Sequence, residues 1–191
     1  MKKRALHMVM AGVCAVVASL VAATPAHADW YPNRYWIQAF HSDRCLDVID
    51  GSANEGARVQ QWDCNSNWQQ QWAFNQVGTY QGMPLFQIAS RHTNYGKCLD
   101  VLDGIMTNGQ PIQQWTCDTT PQQRWIQERM PYVHTRGGYD YPVFRYRSMK
   151  NSTMCLDISG VSPNNGARLH IWGCHNGFNQ MFDNWDLGSK Y

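Results

Sequence analysis

Apolar positions follow two patterns along this chain. Residues 8–21 form an almost uninterrupted apolar run, whereas beyond it apolar residues come only in short stretches separated by Gly, Pro, Asn and Asp. Residues 35–40, 85–88 and 143–146 are such stretches, rich in aromatic and β-branched side chains and bounded by turn residues, which predicts strands. The segments CLDV (45–48 and 98–101), CLDI (155–158), RVQQW (58–62), PIQQW (111–115) and RLHIW (168–172) read the same way, as do WAF and WIQ after the first two of these. No window of helical length holds an apolar period of 3.6 residues. The pattern predicts an all-β chain with about four short strands in each of three similar segments.

Those segments are copies of one unit. Residues 45–72 read CLDVIDGSANEGARVQQWDCNSNWQQQW, residues 98–125 CLDVLDGIMTNGQPIQQWTCDTTPQQRW, and residues 155–182 CLDISGVSPNNGARLHIWGCHNGFNQMF. Each begins Cys-Leu-Asp, reaches a Trp two residues before a second Cys, and ends with a Gln followed two residues later by an aromatic. The two Cys are 19 apart in every copy, and the closing aromatic lies 8 beyond the second. Constant offsets between variable residues mark a triplicated structural unit, spanning about residues 35–80, 81–130 and 140–187. Asp50-Gly51 and Asp103-Gly104 follow the first two CLD segments, and Gly56, Gly109 and Gly166 precede the Trp segments, as turns with positive φ require. The third copy has Ser159-Gly160 one place earlier, which predicts a different first turn. Its start is also displaced by four extra residues in or near MPYVHTRGGYDYP (130–142), read as a surface loop.

Composition sharpens this picture once the apolar run is explained. Lys2, Lys3 and Arg4 precede the run and Ala26-His27-Ala28 follows it, the arrangement of a secretory signal peptide cut before Asp29. A retained membrane helix would need about 20 apolar residues. Removing residues 1–28 leaves thirteen basic and fourteen acidic side chains, so the formal charge changes from +2 to −1. A near-neutral chain without a Lys/Arg run offers nothing to nucleic acid or to an anionic membrane. All nine Trp lie after the leader, beside many Gln and Asn, a composition suited to uncharged polar ligands. Length predicts one domain, residues 29–191. Six Cys remain, two per copy, and the threefold repeat favours closure of each copy on itself: Cys45–Cys64, Cys98–Cys117 and Cys155–Cys174. No Cys-x-x-Cys or His-x-x-x-His spacing occurs, so neither a metal nor a cofactor is expected.

The CLD opening, the Gln-x-Trp-x-Cys centre (His-x-Trp-x-Cys in the third copy) and the Gln-x-aromatic end resemble the ricin B-chain type lectin domain, over about residues 35–187. The resemblance implies a β-trefoil of three four-stranded lobes, each with one potential sugar pocket. A neutral sugar presents hydroxyls on its edge and C–H groups on its face, so a pocket needs a carboxylate or amide for the one and an aromatic plate for the other. Asp47, Asp100 and Asp157 are the candidate acceptors and Trp62, Trp115 and Trp172 the candidate plates, roles the resemblance also implies. Around them stand Gln60, Gln113 and His170, and then Gln69, Gln122 and Asn179 before the closing Gln. The resembled family has Asn at that last position, so the third copy, with Asp157, Trp172, Asn179 and Gln180, is expected to come nearest its polar pattern. Trp72, Trp125 and Phe182 are expected in the core, and Gln70, Gln123 and Gln180 could serve core backbone instead of ligand. A single Asp beside a turn would be read as a turn cap, but the threefold pairing of each Asp with an aromatic favours binding.

Glycoside hydrolysis requires two carboxyls in unequal environments across one bond, whereas this sequence supplies one equivalent Asp per copy. No nucleophile elbow, phosphate loop or metalloprotease motif is present, and the repeats leave no room for a separate catalytic domain. The expectation is a secreted lectin, not an enzyme, binding galactose-like or xylose-like units of glycans or polysaccharides. Two alternatives stay open. One is a cell-binding or targeting subunit for a separate toxin or glycosidase; the other is a trefoil scaffold or inhibitor acting through the third-copy loop around Arg136 and Tyr141.

Overall fold

The computed structural model describes residues 33–188. The signal peptide expected at residues 1–28 lies outside the described residues, as do the domain's first four residues (29–32) and its last three (189–191). Among the described residues the strands are β1 (Tyr35–Ala39), β2 (Cys45–Val48), β3 (Val59–Trp62), β4 (Trp72–Tyr80), β5 (Met83–Ser90), β6 (Lys97–Val101), β7 (Gln110–Thr116), β8 (Arg124–Arg136), β9 (Tyr139–Ser148), β10 (Met154–Ile158), β11 (Leu169–Gly173) and β12 (Phe182–Asp186). All pairings are antiparallel. Six strands close a ring in the order β1-β4-β5-β8-β9-β12 and back to β1, which leaves the barrel without a free edge. The other six form the hairpins β2–β3, β6–β7 and β10–β11. These hairpins meet over one end of the barrel through the pairs His170–Pro111, Arg58–Gln113 and Gln60–Arg168. Three four-stranded units about a pseudo-threefold axis make a β-trefoil.

The repeat landmarks explain why the chain folds this way. Leu46, Leu99 and Leu156 of the three CLD segments are fully buried, together with Trp72, Trp125 and Phe182 at the repeat ends. Each indole N–H has a carbonyl within reach: Trp72 Nε1 donates to Leu46 O at 3.1 Å and Trp125 Nε1 to Leu99 O at 3.2 Å. The closing aromatic thus fastens the barrel strand to the first hairpin strand of its own copy. The disulfides are Cys45–Cys64, Cys98–Cys117 and Cys155–Cys174, the self-closing pattern that the repeat favoured. Each closes a loop of roughly 20 residues, a constraint on the unfolded chain of about 3 kcal/mol.

Two expectations from sequence are corrected. Residues 130–142 are not a loop: they belong to β8 and β9, which pair from Arg136–Tyr139 down to Trp125–Ser148. Gly137 and Gly138, at φ 55° and 82°, provide the two-residue turn that matches strand twist, and Pro131 sits where the register shifts between Arg129 and Val133. The first turn of the third copy does not differ either. Gly160 (φ 68°) and Val161 (φ 52°) take the positions of Asp50-Gly51 and Asp103-Gly104, all with positive φ.

Val161 therefore carries a β-branched side chain where the backbone is left-handed, while that side chain is 57% exposed and packs little. Relief of this strain outweighs the added freedom of glycine in the unfolded chain. Val161→Gly is expected to stabilise the fold by about 0.5–1 kcal/mol. A higher urea midpoint with unchanged slope would show it; an unchanged or lower midpoint would refute the strain.

Candidate functional site

Each hairpin carries one Asp on its first strand and one Trp on its second. In β2–β3 the register sets Asp47 opposite Gln60 and Cys45 opposite Trp62; in β6–β7 it sets Asp100 opposite Gln113 and Cys98 opposite Trp115; in β10–β11 it sets Asp157 opposite His170 and Cys155 opposite Trp172. The carboxylates are almost wholly buried, yet the Trp rings remain 42%, 43% and 40% exposed in chain order. A buried acceptor beside an exposed aromatic plate is the arrangement a sugar's edge and face require.

The Asp side chains are held by amides. Gln60 Nε2 donates to Asp47 Oδ1 at 3.2 Å and Gln113 Nε2 to Asp100 Oδ1 at 2.9 Å, while His170 Nε2 lies 2.9 Å from Asp157 Oδ1. From the other side Gln70 Nε2 reaches Asp47 Oδ2 at 3.0 Å, and Gln180 Nε2 reaches Asp157 Oδ2 at 2.9 Å. Gln70, Gln123 and Gln180 are fully buried and also donate to Asp63 O, Thr116 O and Gly173 O, bracing the segment around the second Cys. The closing Gln of each copy thus bonds backbone, and in the first and third copies it bonds the Asp carboxylate as well.

The third copy departs from expectation. Asn179 is buried, and its Nδ2 donates to Asp157 Oδ2 at 2.9 Å and to Ile158 O at 3.2 Å. Asn179 and Gln180 thus both direct their amide N–H groups at Asp157, and the shorter Asn179 side chain reaches Ile158 O as well. A carboxylate has about four acceptor positions. Asp157 is met by His170, Asn179 and Gln180, and His175 Nε2 stands 3.4 Å from Oδ2. The longer Gln69 and Gln122 instead stand half-buried beside Gly51 and Gly104 and line open clefts. The first cleft, about 190 Å³, is lined by Asp47, Asp50, Gln60, Trp62, Asn65, Asn67 and Gln69. The second, about 280 Å³, is lined by Asp100, Asp103, Gln113, Trp115, Asp118 and Gln122, with Leu102 and Gly104.

A model of the ricin-type beta-trefoil lectin domain-like family matches residues 26–115 and, overlapping them, 70–172. The chain belongs to that family. Over 79 residues it is 29% identical to Nigrin b of Sambucus nigra, a match covering 41% of this chain and only 11% of that protein. The designed threefold-symmetric protein ThreeFoil superposes with a TM-score of 0.69 at 26% identity, over 81% of this chain and 99% of ThreeFoil. The C-half of the earthworm R-type lectin, solved in complex with GalNAc, superposes with a TM-score of 0.57 at 19% identity, over 81% of this chain and 99% of its own.

Within this member of the family, several cleft residues escaped the reading of the sequence. Asp50 and Asp103 look like turn residues, and they are, but their turn forms a cleft wall. Asn65, Asn67 and Asp118 follow the second Cys; His175 stands where Asn65 and Asp118 stand in the other copies, a difference that could have ranked the clefts. Burial is the largest influence on Asp47 and Asp100 and pushes both carboxyls above their ordinary value. Amide hydrogen bonds oppose this shift, while Asp50 adds to it in the first cleft and Asp118 and Asp103 in the second. The first cleft thus holds two carboxyls, Asp47 and Asp50, and the second three, Asp100, Asp103 and Asp118. Among the described residues no cluster of three or more His, Cys, Asp or Glu is placed to hold a metal ion.

Proposed function

We propose that this chain is a secreted, non-catalytic lectin whose first and second lobes take neutral, galactose-like or xylose-like units of a glycan or polysaccharide. The observation that carries this reading is the repeated pairing of a buried, amide-held Asp with an exposed Trp over an open cleft, in Asp47–Trp62 and Asp100–Trp115. The GalNAc complex of the similar earthworm lectin supports the galactose-like choice. Three disulfides and the expected leader support export. Asp157 is already surrounded by donors, so the third lobe contributes weakly or not at all. Single open clefts of this kind bind in about the millimolar to micromolar range, and two on one rigid body raise avidity on a polymer.

A glycan array followed by competition with free monosaccharides tests this reading, and an array with no neutral glycan bound at high protein concentration would overturn it. The pH profile adds a second check. Asp accepts sugar hydroxyls best when ionised, and both carboxyls titrate above the ordinary value near 3.9. Affinity is therefore expected to fall on acidification while ordinary surface aspartates are still charged. For folding the sign is reversed: raised carboxyls favour the native state at low pH and lose that contribution as pH rises through the folded value. Binding that weakens only below the ordinary aspartate range would count against Asp47 and Asp100 as ligands.

A second reading has its own support. The match to Nigrin b spans 11% of that protein, so a domain of this kind also occurs within a much longer chain. A targeting or cell-binding role beside a separate toxin or hydrolase would use the same clefts, and co-purification from the native secretome would reveal the partner.

A further inference from the structure

The three hairpins enclose a second kind of cavity where they meet. It measures about 240 Å³ and is lined by Arg58 and Val59, by Gly109, Pro111 and Ile112, and by Ser159, Arg168, Leu169 and His170. Arg58, Pro111 and Arg168 each lie 13 residues beyond the first Cys of their copy, so they are threefold equivalents around one axis. Two of the three equivalents are arginines. No Asp or Glu lines the cavity, and neither arginine pairs with a carboxylate among the described residues. Arg58 Nη1 is buried and has no hydrogen-bond partner among the described residues.

A buried N–H of a cation left unpaired is costly, and proteins normally satisfy such groups. Guanidinium groups present planar forks matched to the oxygens of carboxylate, sulfate or phosphate, and the Ser159 hydroxyl stands at the same wall. The volume suits a compact ion or one charged substituent, not a whole oligosaccharide. We propose that the axial cavity between Arg58 and Arg168 is a binding site for a compact oxyanion, separate from the lobe clefts. The two kinds of site have opposite charge preferences. The clefts carry Asp50, Asp103 and Asp118 and repel anions, while the axis attracts them. A sulfate, phosphate or uronate group on a glycan is thus directed to the axis, away from the lobes.

Isothermal titration at constant ionic strength, with sodium sulfate, sodium phosphate and sodium glucuronate in separate arms, tests the assignment. One saturable equivalent is expected for the wild type. Arg58→Gln and Arg168→Gln are each expected to weaken it at least about tenfold, whereas the exposed Arg129→Gln leaves it unchanged. Arg168 is exposed, so its substitution keeps the proposal testable even if Arg58→Gln folds poorly. Glucuronate binding as tightly as sulfate would assign the ligand as a carboxylate; sulfate or phosphate alone would assign a tetrahedral oxyanion. Saturation by none of the three salts, or affinity within about twofold of wild type in Arg168→Gln, would overturn the site. Trp115→Ala should leave anion binding intact, so this result and that of the lobe clefts are independent.

Discussion

Asp100→Ala is expected to weaken sugar binding at the second lobe by at least about tenfold, since hydrogen bonds to an ionised group contribute roughly 1.5–3 kcal/mol. Asp100 is 4% exposed and aligned by Gln113, so its acceptor direction is fixed before a ligand arrives. Asp100→Asn keeps one acceptor oxygen and the shape, and should retain more affinity than the alanine variant. Asp157→Ala should change sugar binding little, because His170, Asn179 and Gln180 already engage that carboxylate. The indole N–H resonances of Trp62, Trp115 and Trp172 distinguish the lobes in an NMR titration. Loss confined to Trp115 in Asp100→Ala supports the assignment; an undiminished Trp115 response would remove Asp100 from the site. A variant that loses the Trp62 response as well would show a folding defect instead, and a near-ultraviolet spectrum would detect it.

The contrast between the lobes shows what was legible in the chain. Fixed offsets from Cys to Trp to Cys to aromatic are imposed by packing, since the aromatic must reach the core and the Cys must meet. They stand in the sequence as constants, from which the triplicated unit and its self-closing Cys pairs follow, while the trefoil itself was implied by the family resemblance these landmarks carry. Which side of Asp157 is open is different, because it depends on where the amide at position 179 directs its N–H groups. Asn179 directs them at Asp157 and is buried; Gln69 and Gln122 are longer by one methylene and stay at the cleft wall. A motif records the amide in both cases and says nothing of its direction. Asp103 illustrates a related limit. An Asp-Gly pair is sufficiently explained by a turn, so nothing in the sequence separates a turn that only reverses the chain from one that also borders a cleft. The β8–β9 hairpin was hidden for a third reason: Pro131 and the paired glycines read as loop residues, although a bulge and a tight turn accommodate them within strands.

Trp125→Ala is expected to give the largest loss of stability of any single change considered, about 3–5 kcal/mol, the range for large-to-small substitution of a buried aromatic. The ring is fully buried, packs where barrel and hairpin meet, and donates its N–H to Leu99 O. Truncation leaves a cavity and removes that carbonyl's partner, and both effects act in the same direction. Trp125→Phe separates them. The third copy already uses Phe182 at the equivalent place with full burial, so the fold accepts a ring without the N–H. That variant should lose roughly 1–2 kcal/mol, for a smaller cavity and one hydrogen bond. Urea unfolding with the disulfides intact measures both. Because typical domains are stable by only about 5–15 kcal/mol, the alanine variant retains a narrow margin, and its disulfides become its main protection against unfolding. The sugar response of Trp115 should survive in Trp125→Phe, since Asp100 and Gln113 stand on the hairpin and not on the ring. If the alanine variant lost less than about 1 kcal/mol, Trp125 would not be the joint between barrel and hairpin, and the fixed distance from the second Cys to the closing aromatic would need another cause.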